Sequence, residues 1–408
     1  MTSKYFKKEG TNLEDVQEMN RALIIRLLRQ MPVCSRADLA KATGLKRATI
    51  TNIIGDLINW GLVKEMGIID GDKGRRSIGI TLNSGVYKVI GVRLARKYFS
   101  VGLFDISGTE YSIRTEEIDN LSDSEATLEK MKNIIEDILK QEGANNVIGI
   151  GCAIPGPFFR NEGKMALITE LAGWEKISLK EELESLSGLP VYLEHDANVG
   201  ALAEWWLGSN RRESGTLVYV AAGQGVGAGI VMEGKVFRGS VGVAGEIGHM
   251  SIAYDGPQCE CGNNGCLTNY SSTIALMKEI EKQLPAYPGS VLKGNCTLDS
   301  VFEAIEEEDP LAVEVFAKIA KYLGFGLVNM VYAYNPDVII IGDELARAGS
   351  RLLRICRETV EKHLSPNLFK SLSIDISSFK KDSVLIGAGA LAVDNVFRRP
   401  SLIRQLTK

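Results

Sequence analysis

VGVAGEIGHMSIAYDGPQCECGNNGCLTNY, running from Val241 to Tyr270, is the stretch on which the reading of this chain turns. It carries three of the seven cysteines and one of the three histidines. Cys259 and Cys261 are one residue apart, Cys266 follows behind a Gly-Asn-Asn-Gly turn, and His249 lies shortly upstream. Three thiolates and an imidazole complete a tetrahedral shell for Zn²⁺, and glycines between the ligands let the backbone curl round the ion. The alternatives are unrelated core thiols or a disulfide. Core thiols would not sit among Gln258, Glu260, Asn263 and Asn264, and nothing in the sequence points to an oxidising compartment. A structural zinc on His249, Cys259, Cys261 and Cys266 is therefore the expected cofactor. Its ligand set is closed, so no position is left open for metal catalysis.

Just upstream, Gly245-Glu246-Ile247-Gly248-His249 places a carboxylate three residues before the imidazole. A histidine that gives one ring nitrogen to zinc has its orientation fixed and keeps the other for a hydrogen bond. An acid beside such a group suits a polyol, whose hydroxyls both donate and accept. GEIGH followed by CxCGxxGC resembles the signature of the ROK family (repressors, open reading frames and sugar kinases), and the resemblance extends over essentially the whole chain. Within that family, GHMSIAYDGPQCECGNNGC is most similar to the xylose-repressor branch.

At 408 residues the chain is long enough for two or three domains. Its composition is that of a soluble globular protein, without a signal-like N-terminus or an apolar run able to span a bilayer, so a cytoplasmic location is expected. Cys34, Cys152, Cys296 and Cys356 are scattered and read as reduced, mostly buried thiols. Charge is uneven. Residues 1–82 hold 14 Lys and Arg against 9 Asp and Glu, a net +5, whereas the remainder is −9. The split suggests a polyanion-binding head on an acidic body.

In the head, Glu14 to Gln30 reads as a helix with Val16, Met19, Leu23, Ile24, Leu27 and Leu28 on its inner face. Ser35 caps a second helix with Asp38 three residues on, Gly44 ends it, and a third helix runs to about Gly61. Helix, short glycine turn, helix is the helix-turn-helix pattern. The third helix turns Ile50, Ile53, Ile54, Leu57 and Ile58 inward and leaves Lys46, Arg47, Thr49, Thr51, Asn52 and Asp56 outside. A recognition helix needs that distribution, since Arg bonds guanine and Asn bonds adenine bidentately in the major groove. Strands Leu62–Glu65 and Ser77–Leu82 flank a tip whose Arg75 and Arg76 suit a narrow minor groove. Residues 1–82 thus read as a winged helix-turn-helix DNA-binding domain, with protein binding as the alternative. The ROK resemblance agrees, because this head occurs on the family's regulators and is absent from its kinases.

Residues 86–408 read as two α/β lobes, each opening with three consecutive strands, with a cleft between them. Lobe 1 is expected over 86–205 plus a C-terminal helix at 384–397, lobe 2 over 215–380, and the zinc segment over 249–266. The resemblance names this the actin-like, ribonuclease-H-like ATPase fold of sugar kinases. Four cleft motifs follow. Gly156, in Ala153-Ile154-Pro155-Gly156-Pro157 at a strand end, permits a ligand to approach backbone. Glu194-His195-Asp196-Ala197-Asn198 resembles the family's E-N-D-A-N, whose Asp is the base on the sugar hydroxyl; Asp196 holds that position, or is simply a helix N-cap, and His195 replaces a sugar-contacting Asn. Gly223, Gly225, Gly227 and Gly229 could cradle phosphate through backbone N–H groups. Thr268 stands where the family has a sugar-contacting Glu.

The departure that matters is Gly91-Val92-Arg93-Leu94-Ala95-Arg96-Lys97. ROK kinases carry there an Asp followed by Gly-Gly-Thr, which holds ATP and its metal. Arg93 replaces the acid, and phosphoryl transfer depends on metal-assisted charge neutralisation. ATP use is expected to be lost, although the cationic loop could attract a phosphate. The expectation is therefore a non-enzymatic regulator: a head that binds a palindromic double-stranded DNA operator, a body that senses a monosaccharide through Gly156, His195, Asp196, Glu246 and His249, and a homodimer or tetramer. The rivals are an active ATP-dependent sugar kinase with a DNA-binding appendage, and a DNA-binding protein that needs no ligand.

Overall fold

A computed structural model describes residues 12–70, 76–95, 97–118, 123–142, 146–156, 158–159, 164–165, 173–209, 214–379 and 382–406. The chain begins with helix α1 (Leu13–Gln30), nucleated by a capping box between Asn12 and Asp15. Strand β1 (Cys34–Ser35) leads into α2 (Arg36–Thr43), capped as the sequence predicts by Ser35 and Asp38 and closed by Gly44 in the left-handed region at φ 71°. Helix α3 (Arg47–Asn59) buries Ile50, Ile53, Ile54 and Leu57. β2 (Val63–Asp70) and β3 (Arg76–Leu82) form an antiparallel hairpin with a bulge between Met66 and Ile68, and β1 adds to it antiparallel through Cys34 opposite Ile80.

The inner face expected for α1 is corrected in part. Ile24, Ile25 and Leu28 are buried, but Met19 is 65 % exposed and Val16 and Leu23 also face out. Periodicity locates an apolar stripe without saying what covers it. The apolar contacts of α1 with the body come from its C-terminal half, at Ile24, Ile25 and Leu28.

Both sheets of the body repeat one plan. Strands β4 (Lys88–Leu94), β5 (Tyr98–Asp105) and β6 (Glu110–Glu117) run antiparallel. Helix α4 (Ser124–Glu142) crosses over to β7 (Val147–Ile154), which pairs parallel with β4. After the short pair β8 (Phe158–Phe159) and β9 (Lys164–Met165), helix α5 (Leu179–Ser187) returns the chain to β10 (Val191–His195), parallel to β7. The order is β10-β7-β4-β5-β6. Helix α6 (Asp196–Leu207) follows, and the second sheet begins with β11 (Thr216–Ala222), β12 (Val226–Met232) and β13 (Lys235–Val236).

Helices α7 (Thr273–Gln283), α8 (Leu298–Glu306) and α9 (Pro310–Tyr334) then precede β14 (Val338–Gly342), which lies parallel to β11. A 3₁₀ turn at Glu344–Ala348 then leads into α10 (Gly349–His363), with Gly349 at φ 52° separating the two. Helix α11 (Pro366–Lys370), β15 (Ser373–Ile376), α12 (Ser383–Arg398) and α13 (Ser401–Leu406) complete the chain, and the second sheet runs β13-β12-β11-β14-β15.

Two helices decide how the parts fit. α6 and α12 are buried along most of their length and lie between the sheets. The core of the head is continuous with that of the body: Ile24, Ile25 and Leu28 of α1 join one apolar cluster with Leu385, Val396 and Phe397 of α12. Among the described residues, no helix is long and apolar enough to cross a membrane.

Candidate functional site

The four predicted metal ligands converge. A 3₁₀ turn (Ile247–His249) presents His249, and its donor atom and the sulfurs of Cys259, Cys261 and Cys266 all lie within 4.8 Å of one another. Cys259 Sγ is 3.7 Å from His249 Nδ1, and Cys261 Sγ is 3.6 Å from Cys266 Sγ. Tetrahedral zinc with bonds of about 2.0–2.3 Å requires donor separations of about 3.5–3.8 Å. The donor set therefore fits zinc in chemistry, and these two separations match those of a bound ion. Backbone bonds fold the loop around it: Cys259 N donates to Asn263 O at 2.8 Å and Gly262 N to Cys259 O at 2.9 Å.

His249 uses Nδ1 toward the thiols and lines a cavity of about 450 Å³ between the two lobes. Gly156, His195, Asp196 and Glu246 line the same cavity. The sequence-predicted sugar set is thus brought together from the end of β7, the β10–α6 junction and the segment before the 3₁₀ turn. His195 Nε2 is 3.0 Å from Asp196 Oδ1 and 3.9 Å from Glu246 Oε1, so the imidazole stands between two carboxylates. The N-cap alternative for Asp196 is corrected: His195 is the N-cap, and Asp196 is the first helical residue, accepting from Ala197 N at 2.6 Å. A Cβ on Gly156 would fall 2.4 Å from Glu246 Oε1 and 2.5 Å from His195 Nε2, so any side chain there would displace both groups.

Sequence reasoning passed over the group that holds this corner. Glu194 is buried and receives Arg238 Nε and Nη2 at 2.7 Å, Asn198 Nδ2 at 3.1 Å and its neighbour's amide, His195 N, at 3.1 Å. Arg238 lies 44 positions from Glu194, and no local pattern pairs them.

The glycine run divides. Gly223 and Gly225 form the turn between β11 and β12, closed by Gly223 N donating to Gly225 O at 2.9 Å. Gly229 serves helix packing instead, since a Cβ there would meet Ala197 O of α6 at 2.0 Å. A Cβ on Gly223 would lie 2.7 Å from Asp343 Oδ2, which places a carboxylate over the turn proposed to cradle phosphate.

Arg93 explains that carboxylate. It leaves β4 with 7 % exposure, donates Nη1 to Asp382 Oδ1 at 2.7 Å, and donates Nη2 to both Asp343 oxygens at 3.1 Å. The Tyr98 ring lies 5.5 Å from its guanidinium. Burial opposes the charge on Arg93, but Asp343 and Asp382 outweigh it and hold the group well above its usual range. Burial pushes Asp343 upward, and Arg93 only partly offsets this. Asp343 pays a backbone penalty as well: φ 67° and ψ −162° is a region nearly reserved for glycine, at about 1–3 kcal/mol. The expectation that this loop could attract a phosphate is corrected at Arg93, whose Nη groups are already engaged by carboxylates. Arg96 lies outside the described residues.

On the head, Lys46, the N-cap of α3, and Arg47, Thr51 and Asn52 on the helix are exposed, and Thr49 is half-buried. Thr51 Oγ1 donates to Arg47 O at 3.0 Å. Arg76 opens β3 and is exposed, whereas Arg75 lies outside the described residues. Asp56, expected on the outside with them, has an exposed side chain that accepts from Arg21 Nη2 of α1 at 2.7 Å.

The fold and site define a two-lobed protein of the sugar-kinase architecture, with a cleft between matched sheets and a three-helix head built onto it. The ROK family profile matches residues 89–395. A putative xylose repressor of Caldicellulosiruptor sp. (strain Rt8B.4) is 31 % identical over 398 residues, covering 95 % of this chain and 98 % of that protein. The DNA-binding transcriptional repressor Mlc of Escherichia coli (strain K12) is 26 % identical, covering 97 % and 98 %. Among solved structures, a ROK family transcriptional regulator homologous to Escherichia coli Mlc superposes with a TM-score of 0.82 at 27 % identity, over 96 % of this chain and 99 % of that one. A ROK family glucokinase from Streptomyces griseus, in complex with glucose and AMPPNP, gives 0.66 at 25 % identity over 75 % and 99 %. The chain belongs to the ROK family.

Proposed function

We propose that this protein is a DNA-binding transcriptional repressor whose sugar-kinase-like body senses a monosaccharide and does not phosphorylate it. Residues 1–82 are a winged helix-turn-helix in this reading. Lys46, Arg47, Thr49, Thr51 and Asn52 enter the major groove of a palindromic operator and Arg75 and Arg76 reach its minor groove, with two copies of the chain matching the two half-sites. Residues 86–408 are the sensor, in lobes of 86–205 with 384–397 and of 215–380, and 249–266 is the zinc segment.

The observation that carries the regulator reading over the kinase reading is Arg93. A guanidinium bonded to Asp343 and Asp382 takes up the oxygen ligands that a nucleotide-bound metal would require. The hydroxyl-binding side remains: Asp196 and Glu246 accept, His249 donates or accepts through Nε2, His195 bridges the acids, and Gly156 keeps the approach open. Zinc, when bound by His249, Cys259, Cys261 and Cys266, supplies a structural staple that fixes the orientation of His249. The cavity carries the carboxylates of Asp196, Glu246, Glu260, Asp343 and Glu344 against the cations Arg93 and Lys278. That balance favours an uncharged sugar over a sugar phosphate.

Sugar regulates DNA in this scheme only by its differential affinity for the two arrangements of the lobes. A thermal-shift screen of monosaccharides against their phosphates tests the sensor, since a ligand bound by the folded state raises its stability. The expected result is stabilisation by a free sugar and none by its phosphate, with no turnover of ATP and Mg²⁺ on a hexose panel. Robust turnover would replace this reading with that of a ROK sugar kinase bearing a DNA-binding head.

A further inference from the structure

Helix α1 touches the body where two helices from the cleft end. α6 starts at the sugar corner, with His195 as its N-cap and Asp196 as its first residue, and finishes at Trp206 and Leu207. α12 starts at Asp382, the N-cap that also receives Arg93, and finishes at Phe397 and Arg398. At 1.5 Å per residue these rods are about 18 Å and 24 Å long. They are locked together where they cross, for a Cβ on Gly387 would fall 2.2 Å from Val199 O. At their far ends the guanidinium of Arg29, on the last turn of α1, stacks 4.2 Å over the Trp206 ring and 5.9 Å from the Phe397 ring. One side chain of the head thus rests on the termini of both rods.

Two further contacts make α1 a link rather than a spectator. A Cβ on Gly234, in the turn between β12 and β13, would lie 3.6 Å from Arg26 Nη2, so α1 also reaches the second sheet. On its other face Arg21 donates to Asp56 of α3 at 2.7 Å and to Glu18 at 2.8 Å, and Glu18 accepts from Ser401 N of α13 at 3.2 Å. The helix that carries the DNA-contact residues is therefore tied, through α1, to elements of both lobes. A change in lobe angle cannot displace the ends of α6 and α12 without moving what is stacked upon them, because packed interiors transmit displacement rather than absorb it.

We infer that α1 is the coupling element between cleft and head, and that Arg29 is the positioning residue through which it follows the C-terminal ends of α6 and α12. This rests on the sugar-responsive reading above. Arg29 is not among the residues that line the cavity, so its removal tests coupling apart from sugar binding.

The experiment uses the full chain, a duplex selected by the wild-type protein from a randomised pool, and D-xylose, D-glucose and N-acetylglucosamine as probes. Sugar affinity and duplex affinity with and without saturating sugar are measured for wild type, Arg29→Met and, on the body side, Trp206→Leu. In the wild type the effective sugar shifts duplex affinity by about 5–150-fold, the usual span of coupling between sites. Each variant is expected to bind sugar and duplex separately within about three-fold of wild type while the shift falls below about two-fold. Full retention of the shift in either folded variant overturns the role of Arg29 and α1 and leaves the regulator reading standing. A wild-type protein that binds both ligands with no shift at all overturns both.

Discussion

Replacing Arg93 by Met tests the arrangement at the base of the cleft most directly. The substitution keeps a linear side chain of similar reach and removes the charge that faces Asp343 and Asp382. Taking one partner from a buried ion pair strands the other without compensation, at about 3–5 kcal/mol. Arg93 is almost fully buried and the Asp343 side chain is largely covered beside it, so the whole of that range is used. Urea unfolding followed by the fluorescence of Trp174, Trp205 and Trp206, all buried in the body, reports the change. With a slope of about 3 kcal/mol/M, the midpoint should fall by about 1–1.7 M.

The loss also has a pH signature. The folded-state pKa of Asp343 already lies above its ordinary value because of burial, so its contribution favours the fold at acid pH and is lost as pH rises through the folded value. Without Arg93 that value rises further, and the deficit of Arg93→Met should be smallest in acid and grow toward neutrality. Adding Asp343→Asn and Asp382→Asn should recover most of the loss, since Asn at 382 still accepts from Val384 N and Leu385 N as the α12 cap. A cost under about 1 kcal/mol, or a deficit that shrinks as pH rises, would refute the assignment of Arg93 as a buried bridge between sheets.

Other perturbations address the remaining groups. Arg47→Ala should weaken binding to the selected duplex by about 1–3 kcal/mol if it reads a base, or flatten the salt dependence by about one unit if it meets phosphate, as fluorescence anisotropy across a salt series would resolve. On the proposed sensor reading, Glu246→Gln should reduce sugar affinity by at least about ten-fold in calorimetry while the unfolding free energy from urea stays within about 0.5 kcal/mol of wild type, because this carboxylate is only half-buried and would serve the sugar rather than the fold. Metal analysis of the purified chain should find about one zinc per chain, and Cys261→Ser should lower both the zinc content and the melting temperature.

Much of this molecule is written locally in its sequence. The capping boxes at Asn12–Asp15 and Ser35–Asp38 need only residues three apart, and Ser272, Thr297 and Asp309 cap the helices Thr273–Gln283, Leu298–Glu306 and Pro310–Tyr334 in the same local way. The four candidate metal donors are legible for the same reason: thiols at short spacing among glycines leave little else for the segment to do. Hydrophobic pattern fixed a stripe on α1 but not its cover, so Val16 and Met19 lie exposed where burial was expected.

The pairs that give the cleft its character belong to tertiary structure alone. Arg93 meets Asp382 across 289 positions and Asp343 across 250, and Arg238 meets Glu194 across 44. Sequence identified Arg93 as a cation in the wrong place for a metal, yet could not say whether its charge was free or neutralised. Only the folding of two sheets around α6 and α12 brings those carboxylates within bonding distance, because the meeting of residues so far apart is decided by how whole layers pack and by no period or spacing within the chain.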